Sequence, residues 1–168
     1  MKFMRVFVVS ILILVLTASV WAQKARHAEN FSAVSLAGQT VELASLRGKI
    51  VLLTFWSSRC PICQSEIPKL NQLAAGYANS DIVFLAATME NENIVKPFFK
   101  NNPFNFTILP NSFDLLLKYA DRDRSGNLDM GFPAYYLIDR WGVIEYSASG
   151  WDKIKPLGSA INKLVSSR

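Results

Sequence analysis

The chain has 168 residues, of which 51% are hydrophobic and 18% are charged. This length predicts a single domain, and the composition excludes a wholly disordered chain. The net charge of +5 is modest and scattered along the sequence, so nucleic acid is not an expected partner.

The first 22 residues have the pattern of a secretory signal. Lys2 and Arg5 precede an apolar run from Val6 to Val20, and Val20-Trp21-Ala22 has the small-x-small form of a cleavage site. An uncleaved membrane anchor is the alternative, because the run is barely long enough to span a bilayer. Either way, we expect an extracytoplasmic protein, periplasmic or secreted, that meets a membrane only through this segment.

The segment after the leader is predicted to be a flexible lead-in followed by a hairpin. Gln23–Asn30 is polar, and we expect its His27 to be a solvated tail residue rather than a ligand or a catalyst. The folded domain is expected to cover residues 31–168. Two short apolar/polar runs, Phe31–Leu36 and Thr40–Leu43, flank a glycine-containing turn and predict a β-hairpin.

The next segment places two cysteines at the start of a helix. Ile50–Trp56 is a continuous apolar run typical of a buried strand, and Cys60-Pro61-Ile62-Cys63 leads into apolar positions with helical spacing. Pro61 suits the first helical position, because its missing N–H would have no partner there. We expect Cys60 to be the more exposed cysteine, with its thiol pKa lowered by the helix N-terminus and by Arg59.

This pair predicts thiol–disulfide chemistry without a metal or an added cofactor. Cys60 would attack a substrate disulfide, and Cys63 would resolve the mixed disulfide, so the redox group is the Cys60–Cys63 disulfide itself. Half a zinc site or two inert core cysteines is the alternative. Structural zinc takes four ligands, however, and the chain has no third cysteine and one distant histidine.

The rest of the chain is predicted to alternate strands and helices and to end in a β-hairpin and an amphipathic helix. The predicted strands are Asp81–Ala87, Phe106–Leu109, Ala134–Asp139 and Val143–Ala148. The predicted helices are Asn91–Asn101, Ser112–Tyr119 (with Ser112 as its N-cap) and Ile154–Val165.

Several motifs, in this order, resemble one family. GQTVELASLRGK, GKIVLLTFW, CPIC, EIPKL and GFPAYYLIDRWGVI lie between about Phe31 and Trp151, and they are similar to the TlpA/ResA/DsbE-type extracytoplasmic thioredoxin-like oxidoreductases. The resemblance implies a thioredoxin-like α/β fold, with a central mixed sheet flanked by helices and the hairpin as an N-terminal extension. It also implies protein thiol or disulfide substrates and a membrane thiol protein as electron donor or acceptor.

The resemblance assigns a third catalytic residue, Glu66. The family pattern has an acidic residue three positions after the second cysteine, on the same helical face, and Glu66 occupies that position. There it could move protons to or from Cys63 during exchange. Thr54 supports this assignment, because cytosolic thioredoxins have a buried Asp at the corresponding strand position. The alternative is an ordinary solvated helix glutamate.

Four residues are predicted on the substrate side. By resemblance, Pro133 matches the cis-proline opposite the CxxC, which directs the preceding backbone toward an extended substrate segment. Phe132 would then contact substrate, at a position where smaller or β-branched residues are more usual. Arg59 replaces a frequent Trp and would favour a more acidic partner. Trp56 completes the set, although we expect its ring to pack beside the site rather than to touch substrate.

Residues 121–129 (DRDRSGNLD) follow the oxygen spacing of a calcium-binding loop. However, Phe132 stands where the bidentate glutamate should be, and Arg122 and Arg124 oppose cation binding. We therefore interpret the segment as a solvated turn.

The predicted function is an exported reductase of protein disulfides, and the resemblance implies cytochrome c maturation as one such task. A disulfide-introducing oxidant and a non-catalytic binding module of the same fold stay open. A peroxidase of the peroxiredoxin type would need P-x-x-x-T-x-x-C, where this chain has Leu53 and Ser57. A copper-delivery protein would need C-x-x-x-C and a distant histidine ligand, and neither is present.

Overall fold

The structure, a computed structural model, describes residues 26–167, so the predicted leader lies outside the described residues. The strands are β1 (Ser32–Val34), β2 (Thr40–Glu42), β3 (Ile50–Phe55), β4 (Ile82–Ala87), β5 (Thr107–Leu109), β6 (Asp121–Arg122), β7 (Leu128–Asp129), β8 (Ala134–Ile138) and β9 (Ile144–Ser149). The helices are α1 (Pro61–Ala75), α2 (Glu92–Asn101), α3 (Phe113–Tyr119) and α4 (Ile154–Ser166).

The core of the molecule is a five-stranded mixed sheet in the order β5-β4-β3-β8-β9. Strands β3, β4 and β5 run parallel to one another, whereas β8 runs antiparallel to both β3 and β9. The predicted mixed α/β sheet is therefore confirmed. Strand β3 lies in the middle of the sheet, which is why its sequence is apolar at nearly every position rather than alternating.

Helices cover both faces of this sheet. Alternate residues of β3 point to opposite sides. Ile50 and Leu52 join one core cluster with the buried residues of α1, α2 and α4. Val51, Leu53 and Phe55 join a second cluster with α3 and residues near the N-terminal hairpin. All six residues of β3 are buried as a result.

The N-terminal region contains the predicted hairpin, in which β1 pairs with β2 in antiparallel fashion. Part of the predicted flexible lead-in Gln23–Asn30 is held against the sheet instead. The Ala28 N–H donates to the Gly142 carbonyl at 2.9 Å, and the Ile144 N–H donates to the Arg26 carbonyl at 2.8 Å. Ala28 is buried, while His27 is exposed and forms a β-bridge with Val143.

One predicted helix cap differs in detail. Ser112 occupies the N-cap position of α3 but makes no side-chain cap bond. Its hydroxyl donates to the carbonyls of Leu109 and Pro110 instead. The buried hydroxyl satisfies the carbonyls that end β5, and the turn before the helix is stabilised through them.

The segment with calcium-like spacing is a small exposed hairpin of β6 and β7. Asp123 accepts hydrogen bonds from the backbone of Ser125 and from the backbone and side chain of Asn127, so its oxygens face its own turn. The hydrogen bond from the Asn127 side chain lowers the pKa of Asp123. Within residues 26–167, no three His, Cys, Asp or Glu side chains cluster as a metal site would require. These contacts favour the solvated turn.

None of the helices in the described range is long and apolar enough to cross a membrane.

Packing of α4 against the sheet should dominate the stability of the core cluster that α4 shares with α1 and α2. Ile161 is fully buried in the cluster shared with α1, so Ile161→Ala should lower the free energy of unfolding by about 2–5 kcal/mol. Leu117→Ala is the matched control, because Leu117 is 42% exposed, and it should change stability by about 0.5 kcal/mol or less. Urea unfolding measures both; equal losses would contradict this packing.

Candidate active site

The two cysteines lie at the start of α1, after the turn that follows β3. Cys60 is the N-cap of α1, with Pro61 at the first helical position. A disulfide joins Cys60 to Cys63, and their Cα atoms are 5.2 Å apart. Cys60 is half-buried and Cys63 is 2% exposed. The sequence-based expectation that Cys60 is the more accessible sulfur agrees with this arrangement.

The start of α1 supplies a donor to the outer sulfur. The Cys63 N–H donates to Cys60 Sγ at 3.1 Å. This N–H belongs to the first turn, where backbone donors have no intrahelical partner. In the reduced protein the same donor and the helix dipole favour a thiolate on Cys60. The geometry therefore separates an accessible sulfur suited to attack from a buried one suited to resolution.

Behind the disulfide lies the buried carboxyl group of Glu66. Glu66 is 0% exposed, so the alternative of a solvated helix glutamate is wrong. The Tyr135 hydroxyl donates to Oε2, and the Asp152 N–H donates to Oε1 at 3.2 Å. A buried carboxyl needs such partners, because burial without them is strongly unfavourable.

Tyr135 is a site residue that the sequence analysis missed. It is fully buried in β8 and is the register partner of Thr54 in β3. Burial, followed by the hydrogen bond to Glu66, raises the pKa of Tyr135, so the phenol stays protonated and acts as a donor. In the sequence it looks like one more aromatic residue of a buried strand, and only the packing of α1 over β8 brings it to Glu66.

Thr54 lies on the same face of the sheet. It is fully buried, and its hydroxyl oxygen has no hydrogen-bond partner among residues 26–167. The position where cytosolic thioredoxins carry an acid is therefore occupied here by a small polar group. The buried carboxyl group of Glu66 is supplied by the helix rather than by the strand.

The residues predicted on the substrate side differ in how far they are exposed. The Phe132–Pro133 peptide bond is cis, which confirms the geometry implied by the resemblance. Phe132 is half-buried and Arg59 is exposed, so both can meet a docked protein. Pro133 is buried, with its carbonyl accepting from the Gly150 N–H at 2.8 Å.

Trp56 does not belong with the residues that a substrate can touch. It is 2% exposed, and its ring packs against three phenylalanine rings, those of Phe98, Phe99 and Phe104. The prediction that Trp56 contributes to the substrate side is therefore wrong, whereas the expectation that its ring packs beside the site agrees with these contacts.

A second site residue that the sequence analysis missed is bonded to the turn before Cys60. Glu90, which lies between β4 and α2, accepts hydrogen bonds from Ser57 and Ser58 through its carboxylate. No motif in the sequence marks it, because its partners lie more than 30 residues away.

An open cleft runs from the site along α1. It has a volume of about 540 Å³ and lies between α1 and the segment from β9 into α4. Glu66 and Asp152 line one part of it, and Lys69, Tyr77 and Lys155 line others. The cleft brings solvent close to Glu66, although the residue itself has no exposed surface.

Comparison with known proteins agrees with this geometry. Residues 25–147 match the model of the AhpC/TSA family. The chain is 30% identical over 144 residues to the thiol-disulfide oxidoreductase ResA of Bacillus cereus, covering 85% of this chain and 79% of the relative. It is 30% identical over 126 residues to the thioredoxin-like protein YneN of Bacillus subtilis, covering 73% and 69%.

A solved structure supports the same fold. The thioredoxin family thiol:disulfide interchange protein from Chlorobium tepidum superposes with a TM-score of 0.72 at 23% identity, covering 85% of this chain and 98% of that protein. At this identity the likeness concerns the fold.

The bond between Tyr135 and Glu66 should contribute measurably to stability. Tyr135→Phe removes only the hydroxyl donor, so we expect a loss of about 1.5–3 kcal/mol at neutral pH, the range for a hydrogen bond to a charged group. Because burial and the bond to Glu66 raise the pKa of Tyr135 above its ordinary value of about 10, this contribution is fully present below that pH. It falls as the pH rises further, since the unfolded state then releases the phenolic proton.

Tyr77→Phe is the matched control. The Tyr77 hydroxyl donates to Asn162 at the surface, and its loss should change stability by about 1 kcal/mol or less. Chemical denaturation at pH 7 and above pH 10 measures both variants. Equal effects of the two substitutions would show that Glu66 is not charged or that Tyr135 does not hold it.

Proposed function

The chain belongs to the AhpC/TSA family and is a thioredoxin-like thiol–disulfide oxidoreductase, and on that premise we propose that it is an exported reductase of particular protein disulfides. Cytochrome c maturation is the task that its resemblance to the TlpA/ResA/DsbE-type proteins suggests. Leu53 and Ser57 stand where a peroxidatic cysteine would need Pro and Thr, so peroxide reduction is not part of the proposal.

The observation that carries the direction of electron flow is the buried carboxyl group of Glu66. Side chains three residues apart on a helix lie about 5–6 Å apart at their Cβ atoms, so Glu66 is a close neighbour of Cys63. Both its oxygens accept hydrogen bonds, and a carboxylate at this position opposes a negative charge on Cys63. A dithiol whose buried sulfur is poorly stabilised as a thiolate gives up its electrons readily and acts as a reductant.

The reaction takes place in two exchange steps. The Cys60 thiolate attacks one sulfur of the substrate disulfide, forms a mixed disulfide and releases the other substrate sulfur, which takes up a proton. Cys63 then gives its proton to Glu66 or to water and attacks Cys60 Sγ. This second attack forms the Cys60–Cys63 disulfide and releases the remaining substrate thiol. The substrate gains two electrons and two protons. Both electrons come from the cysteine pair, one proton is balanced by the proton that Cys63 gives up, and the other is taken from water because Cys60 had already lost its proton when it became a thiolate.

Each reaction leaves the protein oxidised, so electrons must be supplied to it before it can react again. The Cys60–Cys63 disulfide must be reduced again by a dithiol, and we propose a membrane thiol protein as the donor. A substrate segment would lie along Phe132 and Pro133, and the exposed charge of Arg59 would favour acidic segments. The leader over residues 1–22 would export the domain or tether it beside its donor.

The reduction potential of the Cys60–Cys63 couple tests the proposed direction. We expect a value near or below about −250 mV when the protein is equilibrated with glutathione or thioredoxin standards. A value near about −120 mV would instead identify a disulfide-introducing oxidant. Absence of a reversible couple would leave the fold as a non-catalytic binding module, and the proposal would fail.

Glu66→Gln tests the proposed proton transfer. Removal of the neighbouring charge should move the alkylation midpoint of Cys63, measured in a Cys60→Ser background, about one pH unit or more toward acid. In the protein with both cysteines, loss of the proton acceptor should slow resolution of a mixed disulfide by about tenfold or more. Glu92→Gln is the control, because Glu92 pairs with Lys96 at the surface. A midpoint and a rate that both stay unchanged in Glu66→Gln would remove Glu66 from the mechanism.

A further inference from the structure

We propose that Glu90 is a positioning residue for Cys60: its carboxylate holds the Ser57–Arg59 turn so that the Cys63 N–H meets Cys60 Sγ. The inference deepens the proposed function and rests on it in one respect, that Cys60 is the attacking sulfur. It concerns a residue outside the CxxC segment, on the loop between β4 and α2.

The carboxylate of Glu90 binds three polar groups in the turn before Cys60. Its Oε1 accepts from the Ser57 hydroxyl at 3.1 Å and from the Ser58 hydroxyl at 2.9 Å. Its Oε2 accepts from the Ser58 N–H at 2.8 Å. Three donors from two successive residues therefore converge on one side chain, which restricts the turn more than water could.

The backbone of Glu90 is itself held in place by hydrogen bonds. Its N–H donates to the Thr88 hydroxyl at 3.2 Å, and its carbonyl accepts from the Asn111 N–H at 3.0 Å. Thr88 is 2% exposed, and its carbonyl accepts from the Ser112 N–H at 2.9 Å. The carboxylate therefore extends from a backbone that is bonded to the loop between β5 and α3.

The same turn is hydrogen-bonded to Cys60 and to the first turn of α1. The Cys60 N–H donates to the Ser57 carbonyl at 3.2 Å, and the Ser58 carbonyl accepts from the side chain of Gln64 in the first turn of α1. Ser57 and Ser58 are thus bonded to Glu90 on one side and to Cys60 and α1 on the other. Loss of Glu90 would free the segment that sets the position of Cys60 Sγ relative to the helix N-terminus.

Two effects of Glu90 on Cys60 oppose each other, and two substitutions separate them. Its negative charge disfavours a thiolate, whereas its hold on the turn favours one by keeping the Cys63 donor in place. Glu90→Gln removes the charge but can keep the three contacts, because a serine hydroxyl can accept from an amide as well as donate. Glu90→Ala removes both the charge and the contacts.

The test is the pH dependence of the alkylation of Cys60 by iodoacetamide, an uncharged reagent, in reduced protein with a Cys63→Ser background. If Glu90 acts through position, the midpoint for Glu90→Gln should equal the parent value or lie below it. The midpoint for Glu90→Ala should lie above that of Glu90→Gln. The thiolate fraction at acidic pH should then be roughly tenfold lower in Glu90→Ala than in Glu90→Gln, the effect of losing a hydrogen bond to a charged sulfur.

A double-mutant cycle checks the route through the turn. Ser57→Ala/Ser58→Ala removes the two hydroxyl contacts but keeps the charge of Glu90, so it should raise the midpoint above the parent value. In that background the difference in midpoint between Glu90→Gln and Glu90→Ala should shrink, because two of the three contacts that distinguish them are already absent. Glu92→Ala, on the neighbouring exposed helix turn, should leave the midpoint unchanged. Thermal melting of each variant shows that it is folded, and a Glu90→Ala protein that does not fold leaves the serine pair to decide.

Equal midpoints for Glu90→Gln and Glu90→Ala would overturn the inference, since charge alone would then explain the effect. An undiminished difference between Glu90→Gln and Glu90→Ala in the background of the serine pair would overturn it as well. This assay needs no disulfide substrate and no redox partner. Failure of the proposed reductase function, seen in the reduction potential, is therefore distinguishable from failure of this inference.

Discussion

The burial of one carboxyl group, that of Glu66, constrains the arrangement of the whole site. A buried carboxylate is tolerated only where donors meet it, and here they come from the Tyr135 hydroxyl and from the Asp152 N–H. These contacts join α1 to β8 and to the segment between β9 and α4. Because the same helix carries the disulfide, they also determine where Cys60 and Cys63 lie above the sheet.

One of the two donors to Glu66 comes from a residue with an uncommon backbone conformation. Asp152, whose N–H reaches Glu66, has a φ of 60°, a region that residues other than glycine visit rarely. It follows Trp151, which is 64% exposed. The chain therefore reverses sharply after β9, so that a backbone donor faces inward at the point where α4 is about to begin.

A second feature is the unequal environment of the two sulfurs within one helical turn. Cys60, at the N-cap, has a backbone donor and is half-buried, whereas Cys63 is 2% exposed and lies one helical turn before the buried Glu66. The helix end favours negative charge on the first sulfur, and under the proposed function Glu66 opposes negative charge on the second. Supporting residues come from distant parts of the chain: Glu90 after β4 and the Phe132–Pro133 bond before β8.

Local patterns in the sequence were sufficient to determine most of the architecture. The apolar run of β3, the proline at the start of α1 and the paired runs of the N-terminal hairpin each specify their element through residues a few positions apart. The Cys60–Cys63 pair is equally local, since both cysteines belong to one helical turn. Glu66 and Pro133 were identified through motif resemblance, and their structural settings, a buried carboxyl group and a cis bond, agree with it.

Only the tertiary structure decided which polar groups meet. Tyr135 donates to Glu66 across 69 positions, and Ser57 and Ser58 bond Glu90 across more than 30. Trp56 is buried by rings that α2 and the following loop supply. Residues 26–28 are hydrogen-bonded to the sheet, although the residues on either side of Ala28 are polar. Each of these contacts joins segments far apart in the chain, and their partners are set by how helices pack on the sheet rather than by any local periodicity.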